Sequence, residues 1–78
     1  MKLDFNIDAA VEELLSQPGL FTKKGIMFYV IRTRKVILLT AEERAEFSKE
    51  IGKAIERLLK EGKAEKIYIN RKMYYKKK

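Results

Sequence analysis

The sequence predicts an α+β fold, with a small antiparallel sheet packed on two helices in the order helix, hairpin, helix, hairpin. Two stretches place apolar residues at helical spacing, and two others hold branched and aromatic residues around a short basic tip. Capping and turn residues mark the helix ends. With 78 residues, we expect one domain, residues 1–78. Such a domain buries roughly 60% of the surface that its unfolded chain exposes.

The first helix is predicted at about residues 8–17, in the stretch "IDAAVEELLSQPG". Asn6 or Asp8 is the expected N-cap, because short polar side chains accept hydrogen bonds from the first free backbone N–H groups. Pro18 and Gly19 favour a turn and end the helix. The apolar residues at helical spacing are Ala10, Val11, Leu14 and Leu15.

A first hairpin is predicted over residues 26–39, "IMFYVIRTRKVILL", with "RTRK" as its tip. The tip lacks the Asn-Gly or Gly-X pair of the tightest turns, so the register is open. Because successive side chains of a strand point to opposite faces, both faces of this hairpin would be apolar.

An apolar second face needs a cover, since two helices cover only one side of a small sheet. We expect a symmetric homodimer through the first hairpin. The alternative is an N-terminal segment that folds over the second face with Phe5, Leu20 and Phe21. The predicted dimer interface consists of Met27, Tyr29, Ile31, Ile37 and Leu39.

A long helix is predicted at about residues 41–61. Thr40 and Glu43 have the spacing of a capping box, and Gly62 suits a helix end in the left-handed conformation. Gly52 interrupts the pattern and costs about 1 kcal/mol relative to alanine, so it permits close packing or marks a bend. The apolar stripe that favours one unbroken helix is Phe47, Ile51, Ala54, Ile55 and Leu58.

The last stretch, "KAEKIYINRKMYYKKK", predicts a second hairpin. Ile67 and Ile69 alternate with polar or aromatic neighbours, which is the period of a strand. The tip is "NRK", residues 70–72, and the return strand begins with Met73.

The chain contains no cysteine and no histidine, which excludes disulfides, thiolate nucleophiles, imidazole catalysis and the usual zinc ligands. Carboxylates four residues apart, such as Glu46 and Glu50, are interspersed with bases and favour a solvated helix face. We therefore expect no enzyme, no metal and no cofactor. No apolar stretch has the length of a bilayer span or a signal sequence, so we expect a soluble cytoplasmic protein. Few Asn and Gln beside many Lys and Glu lean toward a thermophilic source.

The net charge of +7 is concentrated in the two predicted hairpins. Residues 21–39 carry five bases and residues 66–78 carry six, with no acid in either segment. Such basic segments favour binding to nucleic acid, because each neutralised phosphate releases condensed counterions and tyrosines can stack on nucleobases. Lysines that protect sheet edges and tyrosines that favour strands are the alternative explanation. The predicted nucleic-acid contacts are Lys23, Lys24, Arg32, Arg34, Lys35, Lys66, Tyr68, Arg71, Lys72, Tyr74, Tyr75 and Lys76.

These features predict a small DNA-binding protein with a regulatory or architectural role, RNA being the less favoured nucleic acid. A different class of function stays open. The same basic and apolar surfaces suit a protein-interaction module, a subunit or an inhibitor, that docks on an acidic partner.

The stretch "RLLKEGKAEKIYINRKMYY", residues 57–75, resembles the end of winged-helix DNA-binding domains. In that family a helix closes on leucines and a Lys-Glu-Gly, a strand follows, and a basic tip leads to a tyrosine-rich return strand. The resemblance covers about residues 40–76. It implies that residues 49–61 correspond to the recognition helix and residues 70–72 to the tip of the wing.

Overall fold

A computed structural model describes residues 3–38 and 40–78, and it has three helices followed by a two-stranded antiparallel sheet. The α+β class and the small antiparallel sheet are confirmed. Within the described residues, no helix has the length and apolarity needed to cross a membrane. The elements are α1 (Ile7–Leu15), α2 (Lys23–Arg34), α3 (Ala41–Lys60), β1 (Ala64–Ile69) and β2 (Lys72–Lys77).

Helix α3 begins at the predicted residue, and α1 begins at Ile7, one residue before its predicted start, with Asn6 rather than Asp8 as its N-cap. The Asn6 side chain accepts a hydrogen bond from the Ala9 N–H at 3.2 Å, and α1 ends two residues before the predicted limit. Thr40 and Glu43 form the predicted capping box at the start of α3. Gly62, with φ of 73°, follows the end of α3, which is one continuous helix.

The prediction of a hairpin over residues 26–39 is wrong, because residues 23–34 form helix α2. Thr22 is its N-cap, and the Thr22 hydroxyl accepts from the Gly25 N–H at 3.0 Å. An apolar run of this length fits a buried helix as well as a strand. The helical period places Ile26 and Val30, four residues apart, in the core with no exposed surface, while Phe28 is 51% exposed.

The second hairpin is confirmed, with Ile67 opposite Tyr74 and Ile69 opposite Lys72. Its turn consists of Asn70 and Arg71, whose φ angles are 50° and 68°. Positive φ at both central residues is the geometry of a two-residue type I′ turn, which matches the twist of paired strands.

The core lies between the three helices, and it is closed at one end by β1. Outside this core, Arg57 of α3 forms a partly exposed ion pair with Asp8 of α1 at 2.9 Å. Among the described residues, the buried apolar residues of the core are Ala10, Val11, Leu14, Leu15, Ile26, Val30, Phe47, Ile51, Ala54, Ile55, Leu58 and Ala64.

The segment between α1 and α2 is attached to the sheet through Phe21. Its N–H donates to the Tyr75 carbonyl at 2.9 Å, and the Tyr75 N–H donates to the Phe21 carbonyl at 2.7 Å. This bridge uses the edge of β2 that does not face β1. Because Lys23 follows Phe21 by two residues, the bridge brings the start of α2 next to β2.

Candidate nucleic-acid interface

A groove of about 650 Å³ lies between α3, the first residue of α2 and strand β2. Five of its lining residues are bases and one, Glu56, is an acid. We call this feature the basic groove. Its lining residues are Lys23, Lys49, Gly52, Lys53, Ile55, Glu56, Arg57, Lys60 and Tyr75.

Helix α3 supplies most of the positive charge. Lys49, Lys53 and Lys60 follow each other at spacings of four and seven residues, which keeps them on one side of the helix and away from the buried stripe. Lys53 has one exposed ion pair, with Glu50 at 3.5 Å. Across residues 3–38 and 40–78, no ion pair involves Lys23, Lys49 or Lys60. Their ammonium groups are therefore available to an anionic ligand.

The hairpin extends this surface beyond the groove. Tyr75 packs against the core and lines the groove, and Lys66 lies opposite it in the register. Tyr68 follows Lys66 by two residues, so it shares this face of the sheet, where it is 68% exposed. Arg71 lies at the exposed turn.

The remaining predicted contacts of the hairpin lie on the other face. Lys72, Tyr74 and Lys76 are opposite Ile69, Ile67 and Glu65, one position out of phase with the groove side. Lys76 also forms an ion pair with Glu65 at 3.4 Å. Thus the fold brings Lys23, Lys66, Tyr68 and Tyr75 together and separates them from Lys72, Tyr74 and Lys76.

The hydroxyl of Tyr75 remains protonated over a wider pH range than usual. Burial raises the pKa of Tyr75, and the negative charges of Glu56 and of ionised Tyr68 raise it further. The groove therefore presents a neutral hydroxyl, a hydrogen-bond donor, beside its ammonium groups.

The start of α3 has the opposite charge character. Its first three turns carry four acids, Glu42, Glu43, Glu46 and Glu50, and two bases, Arg44 and Lys49, so this part of the helix has a net negative charge and disfavours phosphate. The surface that attracts anions thus begins at Lys49 and continues toward the hairpin.

Apart from Lys23, the bases of residues 21–39 lie away from the basic groove. Lys35 caps the far end of α2, roughly 18 Å along the helix from Lys23. Arg34 donates to the Glu13 carboxylate at 2.6 Å, and the Tyr29 hydroxyl donates to the same carboxylate at 3.1 Å. The Arg34 hydrogen bond, with the smaller contribution of Tyr29, lowers the pKa of Glu13 below its ordinary value of 4.5. Arg34 thus joins α2 to α1.

Lys24 and Arg32 are also outside the groove, on the exposed side of α2. The Lys24 ammonium lies 5.9 Å from the centre of the Phe28 ring, at cation–π distance.

The predicted dimer interface was based on the first hairpin, but residues 23–34 form helix α2. Met27, Tyr29 and Ile31 pack partly against the core of their own chain, as do Phe5 and Phe21 from the N-terminal segment. Ile37 is 76% exposed, Leu20 is 45% exposed, and Leu39 lies outside the described residues. The homodimer stays a prediction, and a mass near 9.2 kDa by light scattering would contradict it.

Lys49, Lys53 and Lys60 are candidate contacts that the sequence prediction missed. Their shared helical face was visible in the sequence, but acids at intervening positions favoured a solvated face. Only the neighbouring Lys23 and β2 turn that face into one wall of a groove.

Comparisons with protein-family models, with curated proteins and with solved structures give no match to this chain.

Proposed function

We propose that this protein binds nucleic acid, with duplex DNA as the preferred form. The contacts are made by the basic groove and by the exposed hairpin residues Lys66, Tyr68 and Arg71. The role is that of a regulatory or architectural DNA-binding protein rather than an enzyme. The observation that carries this proposal is the groove itself, which joins five bases and one acid from three separate elements.

Electrostatics supports a polyanionic ligand. Several ammonium groups on one surface repel each other, and a phosphate backbone removes this repulsion while it releases its own counterions. Because acids outnumber bases at the start of α3, we expect the ligand to lie along the surface that runs from Lys49 toward the hairpin.

The distribution of aromatic rings favours a duplex over a single strand. Proteins that hold single strands stack successive bases on exposed aromatic side chains. On the groove side of the hairpin, Tyr68 is largely exposed, whereas Tyr75 packs on the core and is bonded through its backbone to Phe21. One exposed ring supports a single stacking contact, while the lysine and arginine side chains contact the phosphate backbone of any duplex.

The order of elements supports the winged-helix resemblance as part of this proposal. A helix, the Phe21 bridge, two further helices and a hairpin follow each other along the chain. In a winged-helix arrangement, α2 and α3 would form the helix-turn-helix pair, with the second half of α3 as the recognition segment. Asn70 and Arg71 would form the tip of the wing.

Fluorescence anisotropy with labelled random duplex DNA, single strands and structured RNA tests the proposal at several salt concentrations. Lys49→Ala with Lys53→Ala should weaken duplex binding. It should also lower the salt slope, which is the slope of the logarithm of the binding constant against the logarithm of the salt concentration, by roughly 0.9 for each phosphate contact that is lost. Both side chains are exposed, so the variant should remain folded.

A matched control removes the same charge elsewhere. Arg32→Ala with Lys35→Ala deletes two exposed bases outside the groove and should leave the salt slope nearly unchanged. Equal losses in both double variants would show that net charge alone drives binding. Absence of binding to all three nucleic acids at low salt would reject the proposal.

The hairpin tip and the lysine tail are separated by a second pair of variants. Arg71→Ala with Lys72→Ala should lower the slope by about 0.9, because Arg71 contacts the ligand and Lys72 lies on the other face, whereas deletion of Lys76–Lys78 should have less effect. The reverse order would assign binding to the tail and remove the tip from the interface.

A protein-interaction module is the second candidate function, and the exposed side of α2 favours it. Lys24, Phe28, Arg32 and Lys35 follow one exposed face at helical spacing without an acid among them. An exposed aromatic ring between bases suits an acidic protein surface. Phe28→Ala should abolish capture of such a partner and leave nucleic-acid binding intact.

A further inference from the structure

Gly52 occupies an unusual position, because it interrupts the middle of a 20-residue helix in which alanine would be more favourable. It is not in a turn and not at a helix end. The end of the Lys23 side chain, at the start of α2, lies against Gly52. A Cβ atom at this position would be 3.3 Å from the Lys23 Nζ and 3.6 Å from its Cε.

The contact brings a third ammonium group to the surface that Lys49 and Lys53 already share. Lys49 and Lys53 are neighbours on α3, four residues apart, and they flank Gly52. All four residues line the basic groove. In the part of the chain that the structure describes, Lys23 has no carboxylate partner, so an internal ion pair does not explain its position.

Three ammonium groups that line one groove repel one another, and two carboxylates offset part of this charge, since Glu50 pairs with Lys53 at 3.5 Å and Glu56 lines the same groove. We propose that Lys23, Lys49 and Lys53 around Gly52 form a site for one phosphate group, and that position 52 requires a small residue because a side chain longer than a methyl group would displace the Lys23 ammonium. We call it the phosphate site. As a site for a backbone phosphodiester, it rests on the function proposed above; a free phosphate ion offers the same chemistry.

Substitutions of Gly52 test this inference without any change of charge. Gly52→Leu should fill the space of the Lys23 ammonium and lower the salt slope of duplex binding by about 0.9, the loss of one contact. Gly52→Ala should give a smaller loss, because the flexible end of Lys23 has to move by only a few tenths of an ångström. Gly52→Ala should also raise the unfolding midpoint by about 4–8 °C, since alanine is the better helix former.

Ala45→Leu is the matched control. Ala45 is exposed on the same side of α3, two turns before Gly52, and outside the lining of the basic groove. This variant adds an equally large apolar group and should leave the salt slope unchanged. A loss equal to that of Gly52→Leu would overturn the inference.

A double-mutant cycle identifies Lys23 as the residue through which Gly52 acts. Lys23→Ala alone should lower the slope by about 0.9, and Lys23→Ala in the Gly52→Leu background should cause no further loss. Additive losses, or an unchanged slope in a folded Gly52→Leu protein, would overturn the inference.

Titration with inorganic phosphate separates this inference from the proposed function. In the parent, the backbone amide resonances of Lys23 and Lys53 should shift in a saturable manner, and Lys23→Ala should abolish the shift at Lys53. A shift without any nucleic-acid binding would reject the proposed function and assign the site to free phosphate. A change of salt slope without a shift would assign it to the phosphodiester backbone. The absence of both the resonance shift and the change of salt slope would overturn the phosphate site.

Discussion

Two segments of this chain have similar sequences and different structures. "YVIRTRKVILL", residues 29–39, and "IYINRKMYY", residues 67–75, both place a short basic sequence between apolar residues. The first contributes the end of α2 and the segment that follows it, whereas the second forms most of the β-hairpin. Apolar and basic composition alone therefore does not decide between helix and hairpin.

Local turn chemistry accounts for the difference. In the hairpin, Asn70 and Arg71 both have positive φ, and asparagine is among the residues that adopt this conformation most readily. Among residues 29–38 of the first segment, only Lys35 has positive φ, and it ends a helix: its N–H donates to the Ile31 carbonyl. One left-handed residue ends a helix, whereas two in succession reverse a strand.

The largest expected effect distinguishes the helical from the extended form of residues 26–31. Ile26→Ala should lower the free energy of unfolding by about 2–5 kcal/mol, because it leaves a cavity at a fully buried position. Phe28→Ala should change it by less than about 1 kcal/mol, since that ring is half exposed. In a strand, both side chains would lie on one face. Equal losses in urea denaturation would contradict the helix.

A smaller effect concerns the two left-handed residues. Lys35→Gly and Arg71→Gly should each raise the free energy of unfolding by up to about 1 kcal/mol, because glycine adopts positive φ without steric cost. Only Arg71→Gly should weaken duplex binding, since Lys35 lies away from the groove. Thermal denaturation and anisotropy on the same samples measure both effects. Equal loss of binding in the two variants would show that the ends of α2 and of the hairpin contribute alike.

The smallest expected effect depends on pH and concerns the attachment of α2 to α1. The pKa of Glu13 is lowered by Arg34 first and by Tyr29 second, so its contribution to stability is present above the ordinary value of 4.5 and is lost as pH falls through the lowered value. The melting temperature of the parent should therefore be higher than that of Glu13→Gln near neutral pH, and this difference should disappear in acid.

Two variants distinguish the hydrogen-bond donors to Glu13. The pH at which the stabilisation by Glu13 is lost should move further toward the ordinary pKa in Arg34→Gln than in Tyr29→Phe, because the arginine is the larger cause of the lowered pKa. Melting temperatures measured across the acid range provide the comparison. A larger shift in Tyr29→Phe would reverse the assignment of the dominant donor.

The elements with local signals were predictable from the sequence. The caps Asn6 and Thr40 mark the starts of α1 and α3, and the alternation that leads to Asn70 marks the hairpin. Helix α2 was not predictable in this way. Its apolar run fits both periods, and only burial against α1 and α3 selects the one that places Ile26 and Val30 inside.

The α+β class, the bounds of the long helix to within one or two residues, the hairpin turn and the concentration of positive charge all follow from the amino-acid sequence. These features depend on neighbours within a few positions, where caps, turn residues and periodicity act. Only the tertiary structure decided which bases share a surface. Lys23 and Lys49 are 26 positions apart in the sequence, and they meet because Phe21 pairs with Tyr75 while α3 packs across the core. Contacts between distant segments depend on how whole elements pack, and no local pattern records that packing.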